Sequence, residues 1–277
     1  MIAALIIVFR EVFEAGLIVG IVMAATAGVP RRGLWVAGGI AAGVLGSCIV
    51  ALFAGALSQA FEGSGQELFN AGVLLVAVAM LTWHNVWMAS HGRELAASLR
   101  AAGEAVASGA KSLFALAVVV TIAVLREGFE VVMFLYGVLA SDGVTGTAVL
   151  IGGIGGVILG ALVCYGTYRG LLRIPQRYLF GVTGVMIAFL AAGMASQAVN
   201  FLQQANILTA LDMTVWDTSW LLTEDSPLGR VLRTLVGYTD RPTGMQLVAY
   251  AAVLIVMFTF MKLLSPRRPN ITAAPAG

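Results

Sequence analysis

The chain has 277 residues, of which 60% are hydrophobic and 11% charged, with a mean hydropathy of +0.94 and a formal net charge of +2. Soluble domains are about 45–50% apolar and about 25% charged, so one soluble core of this length could not bury the excess. These values exclude a soluble enzyme, a nucleic-acid binder, a disordered tail and a secreted disulfide scaffold, and they indicate an integral membrane protein.

Crossing about 30 Å of hydrocarbon takes about 20 apolar residues in a helix. Seven stretches qualify: 2–27, 34–57, 67–89, 113–140, 147–168, 178–199 and 246–264. They are long runs rich in Gly and Ala, not the short alternating strands of a β-barrel. The first run lacks a basic leader and holds Arg10, Glu11 and Glu14, so it reads as a membrane helix and not as a cleaved signal. Basic residues set the orientation. Arg31 and Arg32 fall after span 1, and Arg93, Arg100 and Lys111 after span 3. Arg169, Arg173 and Arg177 fall after span 5, and Lys262, Arg267 and Arg268 close span 7. The opposite loops hold Arg230, Arg233 and Arg241, with most of the acids: Glu62, Asp142, Asp212, Asp217, Glu224, Asp225 and Asp240. The expected N-terminus is outside and the C-terminus inside, in the cytoplasmic (inner) membrane of a bacterium.

Between the spans, 93–111 reads as a short inner helix or loop on the membrane surface, 200–245 as an acidic outer segment, and 266–277 as a disordered cytoplasmic tail. Cys48 and Cys164 fall toward opposite faces of the membrane, too far apart for a disulfide. His84 and His91, toward the inner end of span 3, read as satisfied interfacial histidines, with acceptance of metal on exit as the alternative, and most methionines read as packing residues.

The chain repeats itself. Residues 9–14 read FREVFE and 125–130 read LREGFE; 37–46 read AGGIAAGVLG and 151–160 read IGGIGGVILG. A weaker echo joins LFNAGVLLVAV from Leu68 to LFGVTGVMIAF from Leu179. Spans 1–3 (1–89) thus match spans 4–6 (113–199). Three is odd, so the second unit enters the membrane from the opposite face, as in the inverted repeats of many transporters, whose substrate sites lie near the midplane. The expected fold is an all-α integral membrane protein. Its seven transmembrane helices form a 3+3 inverted repeat plus one C-terminal helix, in a single domain over 1–265.

Each half carries one Arg-Glu-x-x-Glu: Arg10, Glu11, Glu14 and Arg126, Glu127, Glu130. A charge at the bilayer centre costs about 2.5–3.5 kcal/mol on insertion scales, so six of them call for a function. Spacing of three puts both glutamates of a motif on one helical face, and spacing of four lets each arginine pair with the distal glutamate. Antiparallel packing of spans 1 and 4 would gather four carboxylates and two guanidiniums, a formal −2 that a multivalent cation can neutralise. Carboxylates are hard ligands. They favour a hard cation such as ferric iron, and leave manganese, magnesium and calcium open. A structural ion-pair network is the alternative, but it has no use for the second glutamate of each motif.

At these residues the chain resembles the oxidase-dependent iron permeases of fungi and their bacterial relatives, within the iron/lead transporter superfamily. The family signature, Arg-Glu-x-x-Glu in the first and fourth helices, stands intact at Arg10–Glu14 and Arg126–Glu130. QELFNAGVLLVAVAMLTWHNVWM (66–88), VWDTSWLL (215–222) and the segment from Gly237-Tyr238 to Pro242 also look like family segments. The resemblance implies a permease, not an enzyme, that imports iron, with Fe³⁺ ahead of Fe²⁺. It implies Glu11, Glu14, Glu127 and Glu130 as metal ligands, and Glu67 and Asp217 as candidates on the entry path. It implies iron as substrate with no permanently bound cofactor. A periplasmic iron-binding protein, a haem peroxidase or another oxidase would be partners beside the membrane lipid, and no nucleic acid. The superfamily includes lead transporters, so lead or another divalent metal is the alternative cargo. A carboxylate di-iron enzyme is a distant third, because such sites commonly add Glu-x-x-His motifs and neither motif holds a histidine. A P-loop, a nucleophile elbow and a zinc-type Cys/His cluster are all absent from the sequence.

Overall fold

A computed structural model describes residues 1–60, 65–141, 144–170, 176–224 and 226–264. Glu62, Asp142, Arg173, Asp225, Arg267, Arg268 and the expected disordered tail at 266–277 lie outside the described residues. The described chain is all-α. Its helices are α1 (Ile2–Ala25), α2 (Arg32–Ala60), α3 (Gln66–Ala107), α4 (Leu113–Ala140), α5 (Gly146–Tyr168), α6 (Gln176–Gln204), α7 (Pro227–Val236) and α8 (Gly244–Leu264). Their starts are marked locally. Ser112, Thr145 and Ser226 each accept a hydrogen bond from the third residue on, at the N-termini of α4, α5 and α7. Pro227 opens α7, and Gly237 closes it with a φ of 68°, a left-handed conformation that suits glycine.

Among the described residues, α2, α5, α6, α8 and the stretch Gln66–Met88 of α3 are long and apolar enough to cross a membrane. Helices α1 and α4 are as long, at 24 and 28 residues, but each carries three charges in its middle. Outward-facing Leu52, Phe53, Leu150 and Ile255 give the bundle an apolar exterior.

The expectation for 93–111 needs correction. Residues 93–107 are not a separate surface helix; they continue α3 without a break, over 42 residues in all. At 1.5 Å per residue the rod is about 63 Å long, twice the hydrocarbon thickness. No Pro or Gly pair interrupts it, and its distal part has a buried apolar stripe. Leu99 and Val106 pack with Ile18 and Val22 of α1 and Leu116 of α4.

The two halves interleave. Helix α1 lies parallel to α5, and α2 lies parallel to α4, with glycines letting the backbones touch. A methyl group at Gly43 would stand 2.7 Å from Val124 Cβ; one at Gly156 would stand 2.8 Å from Val8 Cβ. At Gly39 it would meet Val120 and the Ala117 carbonyl, and at Gly152 it would meet Ala4 and the Met1 carbonyl. Val124 is 116 residues after Val8, and Val120 is 116 after Ala4, the offset of the charged motifs. Gly156 is 113 after Gly43, and Gly152 is 113 after Gly39. The packing register therefore differs by one residue from the offset of 114 at which the letters match. Thr121 fastens one seam by donating its hydroxyl to the Gly39 carbonyl at 3.2 Å.

Helices α1 and α4 cross antiparallel at their motifs, with α3 and α6 flanking them. Ala77, Leu81, Phe134, Ile187 and Met194 form the apolar core between these elements. Asn85 of α3 donates to the Gly184 carbonyl of α6 at 3.1 Å. After α6, the segment leading to α8 is ordered by a bridge between Thr214 and Thr243 and by α7, whose C-terminal Gly237 abuts Gly193 of α6.

Candidate metal centre

The antiparallel crossing of α1 and α4 brings the two motifs face to face in the interior. Arg10, all four glutamates and His84 are each at most 7% exposed. The expected intrahelical pairs are both present: Arg10 Nε lies 2.8 Å from Glu14 Oε1, and Arg126 Nε lies 3.3 Å from Glu130 Oε1. The two arginines are otherwise unequal. Arg10 is sealed in and also lies 3.7 Å from Glu11. Arg126 has a side chain 39% exposed, and its guanidinium sits over the Trp87 ring, 4.5 Å from the centroid, a cation–π contact.

His84 of α3 stands between the motifs. Its Nε2 lies 3.2 Å from Glu14 Oε2 and 3.9 Å from Glu11 Oε2, and its Nδ1 contacts Glu130 Oε2. The expectation of an interfacial histidine is wrong. Residue 84 lies toward one end of the apolar run, but α3 continues to Ala107, so His84 falls near the middle of the helix, where α3 packs against both motifs. The sequence did hold a signal: His84 and Asn85 are adjacent polar residues in an otherwise apolar run, and an ionisable residue inside a span is a functional candidate by default.

Glu11, His84, Glu127 and Glu130 can each offer one ligand atom, with all four atoms within 4.8 Å of one another. A metal with ligands at about 2.1 Å spaces them roughly 3–4 Å apart, so a modest closure would complete the sphere. Both Glu11 oxygens and Glu127 Oε2 are buried without a hydrogen-bond donor among the described residues. Buried carboxylate oxygens are normally paired or bound to metal. Glu14 is outside this group; its carboxylate is paired with Arg10 and His84. Four glutamates against Arg10 and Arg126 give the expected formal −2 when His84 is neutral.

The two entry-path candidates lie away from the centre. Glu67 is exposed in the first turn of α3, seventeen residues before His84, about 25 Å along the helix. Asp217 is exposed in the segment between α6 and α7. It accepts hydrogen bonds from the Ser219 hydroxyl at 2.6 Å and amide at 2.9 Å, and pairs with Arg241 at 3.0 Å. The Ser219 bonds, with help from Arg241, hold its carboxylate down to about 2. His91 is exposed and hydrogen-bonded to the Ser90 hydroxyl at 2.7 Å. Both cysteines are free, as expected.

Comparison with known proteins places the chain in a family. The family described as Iron permease FTR1 matches residues 1–266. The chain is 31% identical over 255 residues to a protein of Yersinia pestis named ferrous iron permease EfeU, covering 90% of this chain and 89% of that one. It is 29% identical over 274 residues to a protein of the same name from Escherichia coli O6:H1, covering 97% of each. No solved structure matches. The charged pair of helices inside an apolar bundle is thus carried by a multi-pass protein of the bacterial inner membrane, and the chain belongs to the iron permease FTR1 family.

Proposed function

We propose that the chain imports iron into the cytoplasm and that the ion passes through the carboxylate–imidazole centre between α1, α3 and α4. The observation that carries this is the buried Glu11–His84–Glu127–Glu130 group with its donor-less oxygens. Glu127 takes part in no ion pair among the described residues, and a structural ion-pair network has no use for it. The cargo at the centre is Fe²⁺. Carboxylates alone would favour a harder ion, but His84 adds an imidazole nitrogen, which suits iron in its borderline divalent state. A divalent ion also balances the formal −2. The relatives from Yersinia and Escherichia carry ferrous iron in their names. A periplasmic iron-binding protein would then act upstream of the permease; an external oxidase or haem peroxidase there would convert Fe²⁺ to Fe³⁺ and would not feed this cargo.

In this reading α1–α6 form the 3+3 inverted repeat, α8 is the seventh span, and the N-terminus is outside. Matching glycine contacts on the two seams support the repeat, and the basic residues at one end support the orientation. A reporter inserted after Gly109, in the turn past α3, is expected to be active only in the cytoplasm. Activity on the outer face would overturn the orientation.

The function is tested by uptake of radioactive iron into proteoliposomes holding the purified chain. Saturable uptake under ascorbate, at least about tenfold above that of ferric citrate, is expected. Uptake of manganese or lead with none of iron would overturn the reading in favour of another divalent cargo.

A further inference from the structure

A crevice of about 580 Å³ opens between α1, α5 and the distal part of α3, at the end of the bundle marked by Arg100 and Tyr168. On α1 it begins at Gly16 and continues past Gly20 to Ala25, about 14 Å of helix. Ile21 and Ala25 line it and are seven and eleven residues past Glu14, so they share the Glu14 face. Ile18, buried, takes the one intervening turn. Thr167, Glu104 and Arg100 also line the crevice, so water entering it has polar partners.

The register of the repeat shows why the space exists. With the offsets of 116 on the motif helices and 113 on their partners, Gly16 corresponds to Val132, Gly20 to Tyr136, and Cys164 to Ala51. At the opposite end, Tyr136 fills the equivalent space. Its hydroxyl donates to the Ala51 carbonyl at 3.4 Å and stands 2.9 Å from where a methyl group on Gly55 would be. A methyl group on Gly20 would meet nothing within 4 Å. Cys164 sits directly against Gly16, with its sulfur 3.6 Å from the Phe13 carbonyl. The two ends of the repeat therefore differ by side chains, one open at Gly20 and one filled by Tyr136.

We propose that this crevice is the water-filled route by which the cation leaves the centre for the cytoplasm, with Ile18 as the layer it must pass and Gly20 as the residue that keeps the route open. This rests on the permease reading above. The native Cys164 on the wall is the reporter, in a Cys48→Ala background. In inside-out vesicles, a membrane-impermeant cationic methanethiosulfonate should label Cys164 at least about tenfold faster than in right-side-out vesicles, and labelling should block iron transport. Gly20→Phe should lower uptake at least about tenfold while Fe²⁺ affinity at the centre stays within about twofold. Labelling of Cys164 by a lipid-soluble maleimide alone would show that the crevice holds lipid and would overturn the proposal, as would wild-type transport by Gly20→Phe. If wild type binds and transports iron while Cys164 is silent from the cytoplasmic side, the exit route alone fails. If wild type neither binds nor transports iron, the permease reading fails first.

Discussion

Glu11→Gln and Glu127→Gln proteins are expected to insert normally and to lose iron uptake by about a hundredfold or more. The magnitude follows from burial. Removing one partner from a buried charged constellation costs about 3–5 kcal/mol, and each 1.4 kcal/mol is about tenfold in affinity. Glutamine keeps the shape and removes one charge and one anionic ligand. The same change has the opposite sign for the metal-free fold. Four glutamates crowd one site against Arg10 and Arg126, and the Glu11 oxygens, though 3.7 Å from Arg10 and 3.9 Å from His84, have no hydrogen-bond donor among the described residues. Relieving the repulsion among the four should leave the metal-free variants at least as heat-stable as wild type, by up to a few degrees for about 1 kcal/mol. Loss of transport with stability kept marks carboxylates retained for binding. Uptake assays at matched membrane levels, with thermal unfolding of the purified variants, check both halves. Normal uptake by either variant would remove that glutamate from the iron path.

His84→Gln is expected to lower iron affinity about tenfold and to change which metals compete. Glutamine can still hydrogen-bond Glu14, but it replaces the imidazole nitrogen with an amide. The donor set then becomes all oxygen, which suits manganese, magnesium and calcium better than iron. Competition of manganese against radioactive iron should therefore rise about tenfold relative to wild type. An inserted His84→Gln protein with an unchanged competition profile would leave His84 as a spacer between Glu14 and Glu130 and not a ligand. Loss of packing alone would lower uptake of every metal equally, so the shift in preference separates the two roles.

Much of this was readable from the residues. The apolar runs placed α4 at 113–140, where the structure has Leu113–Ala140, and the other long helices, α3 at its C-terminal end excepted, begin and end near the expected positions. Spacing of four predicted the Arg10–Glu14 and Arg126–Glu130 pairs. What stayed hidden depends on tertiary placement. The identity of His84 was plain but its place was not, because hydropathy does not show that α3 runs on to Ala107 and meets both motifs near its middle. The continuation of α3 to Ala107 was missed because its second half is buried only along the stripe that includes Leu99 and Val106, which lowers the mean hydropathy that marks a span. The inequality of the motifs was also hidden. The letters are nearly the same, and only the surroundings seal Arg10 while leaving Arg126 on Trp87.

The interleaving of α1 with α5 has a consequence for how the protein is made. Helix α1 leaves the ribosome well before α5, carrying Arg10, Glu11 and Glu14, and the grooves it packs into at Gly152, Gly156 and Gly160 are synthesised far later. At about 5–20 residues per second, the delay is on the order of ten seconds. During that time three charges must be held by the insertion machinery or by the Arg10–Glu14 pair alone. The N-terminal three helices therefore cannot mature as a unit, and biogenesis must end with a late docking step that closes both seams and assembles the centre together.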